Sequence, residues 1–174
     1  MKVIKSMETT DSILTYSNIE EDEYPMWVSN RAYVSGNKVI YQHKIYKAIL
    51  PVTSATPPDL DQDNWLFLDY TNKYRMFNNV LSDKSSRVGG IHFTLRPSQI
   101  VTGIALIGVS ASYVRVTVTD PALGIVYDET KSLMNISTVN TYFEYFYQPL
   151  GSAKGAVAFL SLPVAPTGYI DVYV

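Results

Sequence analysis

Tyr113-Val114-Arg115-Val116-Thr117-Val118-Thr119-Asp120 repeats with a period of two. In an extended chain successive side chains point to opposite faces, so Val114, Val116 and Val118 line one side and Arg115, Thr117 and Thr119 the other. Val and Thr also suit a pleated, half-buried surface. Asp120-Pro121-Ala122 stops this strand, because proline lacks the N–H that a ladder needs, and Leu123–Asp128 runs back. The same alternation recurs to either side. Ile91, Phe93 and Leu95 alternate with His92 and Thr94, and Ile170, Val172 and Val174 alternate with Tyr169, Asp171 and Tyr173. Ala156–Leu162 reads as a further strand, and Tyr142–Tyr147 as an aromatic one halted by Pro149 and Gly151. Seven short strands, with turn residues at intervals of about eight to twelve positions, predict a β-sandwich or jelly roll over 87–174. No helix longer than two turns is expected; Gln62–Asn64 and Asn135–Ser137 are candidates for single turns.

Upstream, aromatics are spaced along short strands. Trp27, Tyr33, Val39–Tyr41, Ile45–Tyr46 and Trp65 are separated by Ser35-Gly36-Asn37, Gln42-His43-Lys44 and the proline-containing loop Ser54–Pro58. This predicts a small three-stranded, aromatic-rich module over 26–69. A unit that small buries little surface alone, so part of its aromatic set must be structural. Residues 1–25 read as an interaction arm, whose run Glu20-Glu21-Asp22-Glu23 repels itself and favours solvent or a basic partner. Residues 70–86 link the module to the sandwich. They alternate polar and large apolar groups, unlike a flexible tether, and Tyr74, Met76 and Phe77 are expected to pack the module onto the sandwich as one rigid body. The fold class is therefore all-β. The terminal run Tyr169–Val174 has no capping residue after it, so its edge is expected to be covered by a neighbouring subunit or by sequence beyond Val174.

The composition narrows the function. An apolar fraction of 47% supports a packed core, while only 17% charged residues and 14 tyrosines suit a surface partly buried by a partner. The net charge of −2 comes without a basic tract, which argues against direct nucleic-acid binding. The absence of cysteine removes disulfides, thiolate nucleophiles and the commonest structural zinc ligands. The start MKVIKSMETTDS lacks the apolar core of a signal peptide, and the run Ile104–Val109 is far too short to span a membrane. Synthesis in the cytoplasm without export is expected.

Catalytic and metal chemistry find little support in the sequence. His43, in a hairpin turn, and His92, facing outward on a strand, match no metal spacing and read as ordinary polar surface residues. Asp59, Asp61, Asp63 and Asp69 flank Trp65 but sit in or near a proline-rich loop, a poor frame for paired carboxylates. Asp61 and Asp63 lack the rest of a calcium loop. The chain is read as a non-enzyme with no catalytic residue, no metal and no cofactor. Sugar binding is the more serious chemistry, because pyranose faces stack on flat aromatic rings. Trp27, Tyr33, Tyr46 and Trp65 are the candidate glycan- or partner-binding residues.

Two sets of motifs carry resemblances. Trp27, Asn30-Arg31-Ala32-Tyr33, Gly36-Asn37-Lys38-Val39, Lys44-Ile45-Tyr46-Lys47-Ala48, Pro57-Pro58 and Trp65 resemble the chitinase-type carbohydrate-binding module. The chain departs from its chitin-binding members at Ile49-Leu50-Pro51-Val52, where those members carry paired aromatics. Over nearly its whole length the sequence also resembles a family of tailed-phage and prophage virion proteins. The resemblance rests on Glu21-Asp22-Glu23-Tyr24-Pro25-Met26-Trp27, on Thr71-Asn72-Lys73-Tyr74-Arg75-Met76-Phe77-Asn78, on Val116–Pro121 and on Val126-Tyr127-Asp128. It implies a structural component of a phage virion, in the tail or at the head–tail junction, with other virion proteins and symmetric copies of itself as partners. The alternative is a module displayed on the virion that binds a cell-surface glycan or receptor.

Overall fold

Alternating β-branched residues satisfy their backbone through neighbouring strands, and twelve strands do so among the described residues. The computed structural model describes residues 7–134, 141–142, 146 and 155–174. In chain order the elements are β1 (Leu14–Ser17), β2 (Ala32–Tyr33), β3 (Lys38–Tyr41), β4 (Lys44–Ala48), β5 (Val52–Thr53), β6 (Trp65–Tyr70), α1 (Asn72–Arg75), β7 (His92–Leu95), β8 (Gly103–Ile107), β9 (Tyr113–Asp120), β10 (Gly124–Ser132), β11 (Ala156–Leu160) and β12 (Tyr169–Tyr173). The fold is all-β, with a single helical turn at α1 among the elements so described. It forms two compact units, Met1–Asn18 with Arg87–Val174, and Ile19–Ser86.

In the larger unit five antiparallel strands lie in the order β1-β7-β12-β9-β10, and β8 pairs with β11 in a second sheet. Val114, Val116 and Val118 of β9, Ile170 and Val172 of β12, and Phe93 of β7 are buried on one face of the larger sheet. Phe159 of β11, Leu133 and Leu162 are buried as well, which gives a sandwich-like arrangement. The opposite face carries Arg115, Thr117, Asp171 and Tyr173, as the period of two requires.

Two expectations change here. Tyr169–Tyr173 is no open edge: β12 is the central strand, with β7 on one side and β9 on the other, and Val174 and Ile91 exchange both backbone hydrogen bonds beyond it. Its ladder needs no covering chain. Part of the expected arm is likewise built into the sheet, because Leu14–Ser17 pairs with β7 and buries Leu14. Of the expected strand Tyr142–Tyr147, residues 143–145 and 147 lie outside the described residues; Tyr142 and Phe146 are helical. Asn135–Ser137 also lies outside them, and Gln62–Asn64 is a turn.

In the smaller unit β3, β4 and β6 form a three-stranded sheet and β2 pairs with β5. Gly36 has a φ of 93°, which a glycine tolerates without strain, and its N–H reaches the Ala48 carbonyl at 2.8 Å. The β3–β4 hairpin turns through Gln42 and His43, at φ of 48° and 62°. A two-residue turn with both φ values positive matches strand twist, but it strains residues other than glycine and asparagine. Contacts of the His43 side chain hold it there.

Candidate functional site

Those contacts begin at the acidic run. The Glu21 carboxylate lies 2.9 Å from His43 Nδ1 and accepts the Thr71 hydroxyl at 2.6 Å. His43 stacks on Tyr74 with ring centroids 3.9 Å apart. Glu23 accepts the Asn72 N–H at 2.5 Å, at the first turn of α1, where backbone N–H groups lack helical acceptors. The run is therefore not simply a solvated arm, and His43 is not an ordinary surface residue. Together they fasten the start of the smaller unit and the β3–β4 turn to Thr71, Asn72 and Tyr74. Of the residues expected to join the two halves, Tyr74 is buried and meets Phe77 edge-on, and the Met76 N–H donates to Ser85 Oγ at 3.0 Å. All of these contacts lie inside the smaller unit.

The candidate sugar-stacking rings form that unit's core. Tyr33 is 6% exposed, Tyr46 5% and Trp65 3%, and they cluster with Val39 and Ala48. Tyr33 meets Trp65 edge-on at 5.1 Å, while its hydroxyl accepts the Val28 N–H at 2.8 Å. Trp27 is half-buried against the same cluster and edge-on to Tyr41 at 5.4 Å. Burial raises the Tyr46 hydroxyl pKa, with a further push from Asp59. Sugar stacking needs an open ring face, and Tyr33, Tyr46 and Trp65 offer none. The smallness of the unit is the physical reason: its core has few other large apolar groups to use.

Exposed apolar groups of this unit include a consecutive run on β6, besides others such as Val34, Leu60 and Leu81. Leu66, Phe67 and Leu68 are 50%, 45% and 40% exposed, in the outer strand of the order β3-β4-β6. Ile49 and Leu50, just after β4, are exposed as well. The opposite edge is treated differently. The segment Pro25–Trp27 runs along β3, with Ile40 N–H donating to the Pro25 carbonyl at 3.0 Å and Trp27 N–H to the Ile40 carbonyl at 2.8 Å. Among the described residues no strand pairs with the outer side of β6.

The larger unit holds a second feature, which the sequence reading did not single out. Tyr113, Arg115, Asp128, Thr130 and Tyr173 line an open depression of about 540 Å³ on the polar face of the five-stranded sheet. Arg115 donates to Asp128 through two N–H groups, Nε at 2.8 Å and Nη2 at 2.6 Å. These hydrogen bonds hold the Asp128 carboxyl below the usual carboxylate range and raise the Arg115 guanidinium. Tyr173 lies beside Arg115 across the β12–β9 register and stacks on His92 with centroids 4.0 Å apart; Tyr16 meets His92 at 5.0 Å. Asp171 accepts the Thr94 hydroxyl at 2.6 Å and lies 3.5 Å from His92 Nε2. On β10, burial lifts the Tyr127 hydroxyl to about 12, helped by its hydrogen bond to Glu129. The alternation placed Arg115 and Tyr173 on outward faces. Their adjacency depends on β12 lying next to β9, which no local pattern encodes.

Among the described residues no group of three or more His, Cys, Asp or Glu side chains could hold a metal ion, and no helix is long and apolar enough to cross a membrane. Searches against protein-family models, curated proteins and solved structures found no match.

Proposed function

We propose that the chain is a non-catalytic structural component of a tailed-phage particle, in the tail or at the head–tail junction, acting through association with copies of itself and with other virion proteins. The virion setting rests on the motif resemblance. The observation that favours association is the asymmetry of the small sheet: Pro25–Trp27 covers one edge, while the other presents Leu66, Phe67 and Leu68. A proline-free apolar edge strand offers both backbone groups and apolar surface to an incoming chain, and a protein that stays alone normally blunts such an edge.

Leu66→Lys combined with Leu68→Lys places two charges on that edge without touching the core. The wild-type chain is expected to self-associate in sedimentation and to be found in washed particles by mass spectrometry. The double variant is expected to sediment as a folded monomer and to be lost from the particles. A wild-type protein that remains monomeric at high concentration and is missing from washed virions would overturn the proposal.

A further inference from the structure

We infer that the depression lined by Tyr113, Arg115, Asp128, Thr130 and Tyr173 is a binding site for a neutral oligosaccharide. The inference is independent of the association reading, since it concerns a different unit and a different ligand.

Its first support is charge. Arg115 and Asp128 satisfy one another through two hydrogen bonds, so the depression carries a matched pair and not a free cation or anion. Phosphate backbones and sulfated glycans are recognised by unpaired cations, and such a ligand would gain little here. A neutral ligand loses nothing by the pairing.

The second support is hydrogen-bonding capacity. A guanidinium has five N–H donors and a carboxylate about four acceptor sites. The pair uses two guanidinium donors, and the Asp128 carboxylate also accepts from Thr117; the remaining guanidinium donors and the residual carboxylate acceptor capacity lie side by side, with Thr130 next to them. Adjacent sugar hydroxyls, each both donor and acceptor, match that array. Arg115 and Asp128 are set on neighbouring strands, Arg115 opposite Thr130 and Asp128 opposite Thr117, so their positions are fixed before a ligand arrives.

The third support is the pair of rings. Tyr113 is 53% exposed, contributes little to the core, and stands at one end of β9. Tyr173 is steadied by its stack on His92. Rings beside a polar pair give the C–H face of a sugar something to lie on. The volume falls in the range of roughly 300–1,000 Å³ usual for small-ligand clefts, and its openness lets a chain continue past the bound residues. Stability does not account for these features, since an exposed ion pair is worth at most about 1 kcal/mol.

The test is two-dimensional amide NMR of the full chain, titrated with neutral hexasaccharides of glucose, N-acetylglucosamine, mannose and galactose, with a heparin hexasaccharide as the charged control. At least one neutral sugar is expected to give saturable shifts at residues 113–117, 128–132 and 171–174, and none at 38–48 or 65–70. Tyr113→Ala and Asp128→Asn should each weaken binding by about tenfold or more while leaving the remaining spectrum in place. Arg115→Lys, which keeps the charge but loses the fork, should weaken it too. The inference is overturned if no neutral sugar binds at concentrations up to about 20 mM, if only heparin binds, or if the shifts map to the smaller unit. Loss of particle incorporation in Tyr113→Ala without any sugar response would also overturn it, and would make this face a protein contact.

Discussion

Replacing Trp65 with alanine separates a core residue from a ligand platform. A tryptophan removes about 200 Å² from water, which at about 25 cal/mol per Å² is worth up to about 5 kcal/mol. A realistic unfolded chain already hides part of that area, which lowers the figure. The edge-on contact with Tyr33 at 5.1 Å adds about 1 kcal/mol, and the cavity left behind resists collapse because Tyr33, Val39 and Tyr46 are fixed on three different strands. A loss of about 4 kcal/mol follows, within the range of about 3–5 kcal/mol typical of buried Trp→Ala changes. For a unit the size of Ile19–Ser86, whose whole stability is on the order of 3–10 kcal/mol, that is a large share of what holds it folded. Amide hydrogen exchange reads this directly: protection in β3, β4 and β6 should fall by about three decades in Trp65→Ala, with partial recovery in Trp65→Phe. If Trp65 instead served an exposed ligand site, protection would stay within about 0.5 kcal/mol of the parent, and the burial argument would be refuted.

Removing Ile170–Val174 should abolish the five-stranded sheet instead of fraying one edge, because β7 and β9 both pair with β12; circular dichroism and exchange of the β9 amides would show it, and intact β9 protection would contradict the strand order. Gly90 has a φ of 98°, and a Cβ there would lie 2.8 Å from the Val174 carbonyl oxygen, so Gly90→Ala should cost about 1–3 kcal/mol in denaturant unfolding. An unchanged midpoint would mean that the backbone relaxes at no cost. Asp128 has its pKa lowered by Arg115, so its contribution to stability is complete above pH about 4 and is lost as the pH falls through the lowered value. Carboxyl ¹³C NMR should show Asp128 titrating below an ordinary aspartate, and Arg115→Leu should return it to the normal range; titration of Asp128 at or above about 3.9 in the parent would exclude the pairing.

The sequence exposed some levels of this structure and concealed others. The inward residues of β9 and β12 were legible because one buried face imposes a strict period of two, and Val114, Val116, Val118, Ile170 and Val172 are buried as that pattern requires. The position of β12 was not legible. A strand flanked by β7 and β9 has the same local alternation as an edge strand, and only pairing across about fifty to eighty residues of sequence tells them apart. β1 was hidden by its brevity, since four residues with one buried leucine look like any polar segment. The small unit's aromatics were located correctly, but a ring that fills a miniature core and a ring that greets a sugar leave the same trace in sequence. The cleft residues were present as unremarked outward positions, and became a site only through the lateral order of three strands.

Asn18 bears on more than the register of β1. Its backbone N–H donates to the His92 carbonyl at 3.0 Å, its side-chain amide donates to the Gly90 carbonyl at 3.2 Å, and its side-chain oxygen accepts the His92 N–H at 2.9 Å. The chain thus leaves the larger unit at Asn18 and re-enters it at Arg87, a few residues from where Asn18 is fastened. Topologically, Ile19–Ser86 is a passenger carried in the connection between two paired strands. Closing a connection costs only about 0.6 kcal/mol more for each doubling of its length, so the length of that interval weighs little on the closure entropy of the β1–β7 pair. What sets the place where the host sheet resumes is accordingly the asparagine clasp at Gly90 and His92, and not the number of residues carried between its two sides.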